Sequence, residues 1–402
     1  MTGYIGDKKI SIRATVAKIF TIVCVFCPVL GAYSYHGIRL TEILFCGITL
    51  FEIARLIICR EKIRFTWALL PVLLLMLGKF IDTLLVGGSI LGMARGLFNI
   101  LIAFVFLRQY IDAALAQKVY KYFAIAASIM GIVQLAVGEI FKIYIPGMLP
   151  WGNAAGYNFA VEMNAGALKS GSMTLRPRSF FNEPSDFGMF VGICLLYILT
   201  KNSILTVKEA GMAVLFSMAQ VCVRSSTGIL LTALAWGIFC IRFIYSRRTI
   251  PICYVLLLCL LIGAIGFCYT DTFQIFVQRT FQFNSSGGTM GRIGGYFEIF
   301  DIENQSVAQI FLGHRVGDTS IFVLGWGLVY WYFGIVGILA YVAMFVVLYK
   351  KAVTVTQRRS VILIIFLAIF LASFFDLNEI FYYALYFVCG YSKKKIRKEG
   401  VC

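Results

Sequence analysis

The chain has 402 residues, of which 60% are hydrophobic and 14% charged, with a mean hydropathy of +0.87; a soluble domain is about 45–50% apolar and about 25% charged. An ordinary soluble enzyme is excluded, and the apolar content suffices for about twelve spans of about 20 residues, each crossing about 30 Å of hydrocarbon. The net charge of +17, from 36 Lys and Arg against 19 Asp and Glu, would suggest nucleic acid in a soluble chain, but basic cytoplasmic loops account for it in a membrane protein, so no nucleic-acid partner is expected.

Taken in chain order, the apolar runs predict spans at residues 16–34, 38–59, 65–86, 93–110, 119–140, 186–203, 209–224, 227–245, 250–270, 321–349, 360–376 and 378–392. This is an all-α, polytopic integral membrane protein with about 12 transmembrane helices, read as one membrane domain over residues 1–402. The first run lacks a convincing small-residue cleavage site and reads as a retained anchor. If the N-terminus is inside and the spans alternate, two thirds of the 36 Lys and Arg fall on the inner face. The positive-inside rule then puts both termini in the cytoplasm. Arg55 and Lys79 stand apart, inside the second and third spans.

Most of the 12 cysteines lie within apolar runs, where they act as small hydrophobes. The Cys24 and Cys27 pair has no second pair to complete a metal site, and His36 and His314 are the chain's two histidines, so a multi-His site is impossible. Two long stretches, residues 141–185 and 271–320, interrupt the rhythm and fall on the outer side. They are where function is expected. The glycines between Gly287 and Gly295 follow no strand and match no phosphate-loop spacing.

The first outer loop ends in Arg176, Pro177, Arg178, Ser179, Phe180, Phe181, Asn182, Glu183, Pro184, Ser185 and Asp186, and a span begins at once. An arginine presents a planar fork of donors to phosphate oxygens, so two of them two residues apart can hold one diphosphate. Asn182 or Glu183 is expected to cap the following helix, with Pro184 in its first turn. The plainer reading is that Glu183 and Asp186 complement the helix dipole while the arginines anchor at headgroups. A tight turn at Arg224, Ser225, Ser226, Thr227 and Gly228 joins the seventh and eighth spans; it either closes a cavity between helices or is a solvated hairpin with Arg224 snorkelling.

The second outer loop holds Arg279, Arg292 and Arg315 with His314, Asp318 and the aromatics Phe281, Phe283 and Tyr296. That combination suits an anionic, sugar-bearing ligand, since arginines neutralise phosphate. Asp301 and Glu303 form an acidic pair of a kind that can hold a divalent ion, but such pairs are common in polar loops; no metal and no cofactor is expected. His314 is either a general acid or base, with an ordinary pKa near 6.5, or a hydrogen-bonding loop residue.

The run from Arg178 to Gly188 resembles the "R, aromatic, E-P-S" segment of bacterial O-antigen and capsule repeat-unit polymerases of the Wzy type. The Gly313 to Gly317 run, followed by Gly325 to Gly337, is similar to that family's exit from its second loop, and the turn Arg224 to Gly228 is similar to its hairpin. With the two outer loops and twelve spans the resemblance covers most of the chain. It implies a GT-C-like, mostly helical glycosyltransferase of the bacterial inner membrane, acting on undecaprenyl-diphosphate-linked oligosaccharide as both donor and acceptor. Beside the lipid bilayer it implies a chain-length regulator and a flippase as partners.

Physical requirements agree with that implication: breaking a glycosyl diphosphate bond calls for positive charge on the leaving group and a base for the acceptor hydroxyl. The substrate-binding candidates are Arg176, Arg178, Arg224, Arg279, Arg292 and Arg315; the candidate bases are Glu183, His314 and Asp186, with Glu183 first. The related O-antigen ligases typically carry a further histidine in the second loop, which favours polymerase here. A transporter of polysaccharide or lipid-linked sugar remains the alternative outside enzymes; a major-facilitator transporter would show two similar six-span halves.

Overall fold

A computed structural model describes residues 2–61, 63–148, 175–201, 205–245, 305–316, 325–352 and 355–370, with positions 162, 164, 166, 274, 299 and 385 besides. Long helices dominate the described residues: α1 (Thr2–Leu30), α2 (Leu40–Cys59), α3 (Leu70–Val86), α4 (Ile90–Tyr110), α5 (Ala113–Phe141), α6 (Pro184–Lys201), α7 (Val207–Val223), α8 (Ser226–Tyr245), α9 (Val307–Leu312), α10 (Gly325–Lys351) and α11 (Val355–Phe370). The α1–α2 connection carries two strands of two residues, Ser34–Tyr35 and Ile38–Arg39, and a 3-10 turn, Trp67–Leu69, leads into α3.

These helices fall on ten of the twelve expected spans, with the short α9 inside the second long stretch between spans. The ninth and twelfth, residues 250–270 and 378–392, lie outside the described residues save for position 385. Among the described residues six helices are long and apolar enough to cross a bilayer: α1 over Ile12–Leu30, α3 with its preceding turn, α4, α5, α6 and α10. The 20-residue α2, with Glu42, Glu52 and Arg55 along its length, is not among them, and α7 has only 17 residues. Large aliphatic side chains such as Ile57, Ile58 and Leu85 are more than two thirds exposed on the helix flanks. Hydrocarbon is the solvent in which such surfaces are stable, and helices meet it with every backbone group paired internally. The chain is an all-α, multi-pass membrane protein.

The chain divides into two compact units, one comprising residues 1–31, 38–119 and 293–402, the other residues 32–37 and 120–292. In the first, α3 packs on α4 and on α10, and α10 packs on α9 and α11. A charged network lies inside this unit. Arg55 grips the Glu52 carboxylate at 2.6 Å and that of Glu61 at 2.9 Å. The Tyr110 hydroxyl donates to Glu52, and the Arg13 guanidinium lies 5.9 Å from the Tyr110 ring centre.

Helix α10 is broken at Gly334, whose φ of 60° and ψ of −157° lie outside the helical region. A Cβ there would overlap the Phe311 backbone and come within 2.6 Å of the Ile310 carbonyl. Glycine alone adopts this conformation and admits α9 so closely. Gly334→Ala is therefore expected to destabilise the protein by about 1–3 kcal/mol, read as a lower melting temperature of the detergent-solubilised protein.

In the second unit α6 is the central helix, packed on α7 and most extensively on α8. With lipid tails as apolar as leucine, helices associate through close packing of small residues. Gly188 and Gly228 do this here: a Cβ on Gly188 would lie 2.9 Å from the Gly228 nitrogen and 3.0 Å from its Cα. The buried Gln220 of α7 donates to the Gly188 carbonyl at 2.9 Å, joining three helices at one level.

Candidate functional site

The segment 175–183 forms its shape against α5. Gln134, fully buried on that helix, accepts the backbone N–H groups of Arg178 (3.1 Å) and Ser179 (2.7 Å) on one amide oxygen. Its amide nitrogen donates to the carbonyls of Ile145 (2.9 Å) and Ser179 (3.3 Å). Ser179 takes a left-handed conformation, φ 55°, and its hydroxyl donates to the Ala127 carbonyl at 2.7 Å. Gly147 lies directly over the Ser179 carbonyl, where any Cβ would overlap it. Phe181, fully buried, meets Phe187 and Phe190 with ring centres 5.9 and 5.3 Å away, and Phe180 stacks on Phe123. The two aromatics of the "R, aromatic" segment thus serve as anchors.

Arg178 is 1% exposed, and its Nη1 donates to the Asn182 carbonyl at 2.8 Å. That bond closes the turn leading into α6. Glu183 occupies the position before the helix; its carbonyl accepts the Phe187 N–H at 3.3 Å, and its exposed carboxylate accepts the Ser185 hydroxyl at 2.9 Å. Pro184 is the first helical residue, where its missing N–H costs nothing. Asp186 is half-buried in the first turn, and acids there complement the positive end of the helix dipole.

Arg224 ends α7 in a left-handed conformation, φ 55°, with its N–H bonded to the Val221 carbonyl. Its Nη1 donates to the Leu175 carbonyl at 3.1 Å, and its Nη2 stands 3.6 Å from the Glu139 carboxylate. Arg224 thereby reaches the residue that precedes Arg176, whose own N–H donates to the Asn164 side chain at 3.0 Å. On the other side of the turn the Ser225 hydroxyl accepts the Gly228 N–H, and Gly228 meets Gly188. Two sequence segments therefore meet at one end of the second unit, with Arg176, Arg178, Arg224, Glu183 and Asp186 on them. Arg178 and Arg224 hold the backbone with part of their donor sets; Glu183 keeps its carboxylate outward.

His314 and Arg315 belong to the first unit. The His314 ring stacks on Trp331 of α10, centre to centre 3.5 Å and 12° from parallel, and the backbone N–H of His314 donates to the Trp331 carbonyl at 2.6 Å. A Cβ on the preceding Gly313 would overlap the backbone of Tyr332 and Phe333. The Lys79 ammonium, 3.1 Å from Asp82, also donates to the Leu312 carbonyl at 3.2 Å, and Ser89 donates to the Val316 carbonyl. The end of the second long stretch is thus fixed to α3, α10 and the turn before α4, and Arg315 is exposed. Arg279, Arg292, Asp301, Glu303 and Asp318 lie outside the described residues. Among the described residues no cluster of three His, Cys, Asp or Glu could hold a metal ion.

Sequence reading missed Gln134 and Glu139. Gln134 did leave a signal, as an amide within an otherwise apolar run, where side-chain amides commonly join neighbouring elements. The fold and the site together define a multi-pass helical membrane protein with an arginine-bordered, carboxylate-bearing helix start. No protein-family model, curated protein or solved structure matches the chain.

Proposed function

We propose that this protein is a membrane glycosyltransferase that polymerises undecaprenyl-diphosphate-linked oligosaccharide repeat units into a surface polysaccharide, O-antigen or capsule, at the bacterial inner membrane. The observation that carries the reading is the convergence of the Arg178–Gly188 segment and the Arg224–Gly228 hairpin. It brings guanidinium groups and carboxylates to one helix start, the two kinds of group the reaction needs.

The acceptor sugar's hydroxyl oxygen attacks the anomeric carbon of the donor. The bond from that carbon to the diphosphate oxygen breaks, the electron pair leaves with the lipid diphosphate, and Glu183 takes the hydroxyl proton. Arginines neutralise the leaving diphosphate without proton exchange. Arg176, Arg178 and Arg224 are the members of that set on the two converging segments, and Asp186 is the second carboxylate of the helix start. A lipid-linked substrate accounts for a site built on a membrane-spanning helix rather than on a soluble domain.

Deletion of the gene is the direct test. A surface-glycan ladder reduced to one repeat unit per carrier is the expected result. Complete loss of attached glycan with free polymer retained would mean a ligase instead, and an unchanged ladder would remove both readings.

A further inference from the structure

We infer that Gln134 is the positioning residue of this site: one buried amide on α5 clamps the two ends of the first outer loop and thereby sets the Arg178 turn and the Glu183 helix start. The inference rests on the proposed function for its kinetic consequence, and on geometry alone for its structural one.

A primary amide has two donor hydrogens and an acceptor oxygen with two lone pairs, and here all four are used. The oxygen accepts two successive backbone N–H groups, Arg178 and Ser179. The nitrogen donates to Ile145 from the loop's start and to Ser179 from its end. Residues 142–148 and 175–183 are therefore tied to each other through one side chain, with none of its capacity left for solvent or ligand. Gly147, against the Ser179 carbonyl, allows the two ends to lie close enough for this.

The clamp acts where the backbone turns sharply. Ser179 is held in the left-handed region, which a non-glycine residue adopts at a cost that its surroundings must offset. The peptide groups on either side of it are bonded to Gln134. Freed from the amide, Ser179 returns to an extended or helical conformation. The Arg178 guanidinium then moves relative to the Asn182 carbonyl it now holds, and Glu183 follows one residue on. Gln134 touches no reacting atom in this scheme; it acts through Arg178 and Glu183.

Two variants of the full-length protein in detergent or nanodiscs test the inference. Gln134→Leu removes all four bonds at similar volume. Gln134→Glu keeps the shape and both acceptor bonds but loses the donors while ionised; protonated, it regains one. Amide hydrogen exchange is expected to quicken over residues 142–148 and 175–183 in Gln134→Leu, with α7 unchanged. With purified lipid-linked donor and acceptor, kcat is expected to fall on the order of 10²-fold with KM changed much less, since a misplacement of about 1 Å costs that much. Gln134→Glu is expected to regain activity relative to wild type as pH is lowered.

Wild-type exchange and wild-type kcat in Gln134→Leu would overturn the inference, as would a fall in activity with no pH-dependent recovery in Gln134→Glu. Should Gln134→Leu fail to fold, Gln134→Glu carries both measurements. If wild-type protein polymerises nothing, the proposed function fails, while the exchange measurement still decides whether the clamp exists.

Discussion

Arg55→Leu is expected to lower stability by about 3–5 kcal/mol, the cost of breaking a buried ion pair by removing one partner. Glu52 is fully buried, and its carboxylate takes up the Arg55 guanidinium and the Tyr110 hydroxyl. Without Arg55 it is left as an uncompensated charge inside a helical bundle. Glu61 suffers less, being 31% exposed and 3.6 Å from Arg13. The double variant Glu52→Leu with Arg55→Leu is expected to recover most of the loss, because replacing a buried pair by apolar groups is often close to neutral. It will not recover all of it, since the Tyr110 hydroxyl, in a side chain 1% exposed, loses an acceptor at about 1–3 kcal/mol. Melting followed by fluorescence size exclusion in detergent measures both. A wild-type melting temperature for Arg55→Leu would show that water reaches the cluster and screens it.

The same network illustrates what sequence pattern does and does not reveal. An arginine inside the second span stands out, and Glu52 three residues earlier lies on the same helix face. Tyr110, at the end of α4, carries no mark that would join it to them, because the pairing depends on how α2 and α4 pack. Helix positions were legible because a bilayer imposes a minimum apolar length. Helix starts were less so: α1 and α5 begin at Thr2 and Ala113, earlier than residues 16 and 119, because hydropathy registers only the apolar part. At α5 the Asp112 carboxylate caps the N–H groups of Ala114 and Leu115. The polar run from Arg176 to Asp186 was legible for its charge density before a span. Its union with Arg224 was not, because that rests on the approach of Gly188 to Gly228 and on the Leu175 carbonyl, neither of which has a sequence signal.

Glu183→Gln is expected to reduce turnover by about 10²–10⁴-fold, the usual worth of a general base, with expression and melting temperature unchanged. The geometry around the residue suits that role. The Arg178 Nη1 is directed to the Asn182 carbonyl and the Arg224 Nη2 toward Glu139, so parts of both guanidinium groups are turned to other acceptors. The Glu183 carboxylate is exposed and accepts a neutral hydroxyl, that of Ser185. Of the two carboxylates at this helix start it is the more accessible to a hydroxyl arriving from outside the bundle, Asp186 being half-buried. The glutamine keeps the shape and can still accept from Ser185, so the cap and α6 persist while basicity is lost. Single-turnover measurement with purified lipid-linked donor and acceptor separates the chemical step from binding and release. Retention of most of the wild-type rate would leave Glu183 as a helix cap and move the base to Asp186 or His314, with Asp186→Asn and His314→Gln as the next variants to lose the rate.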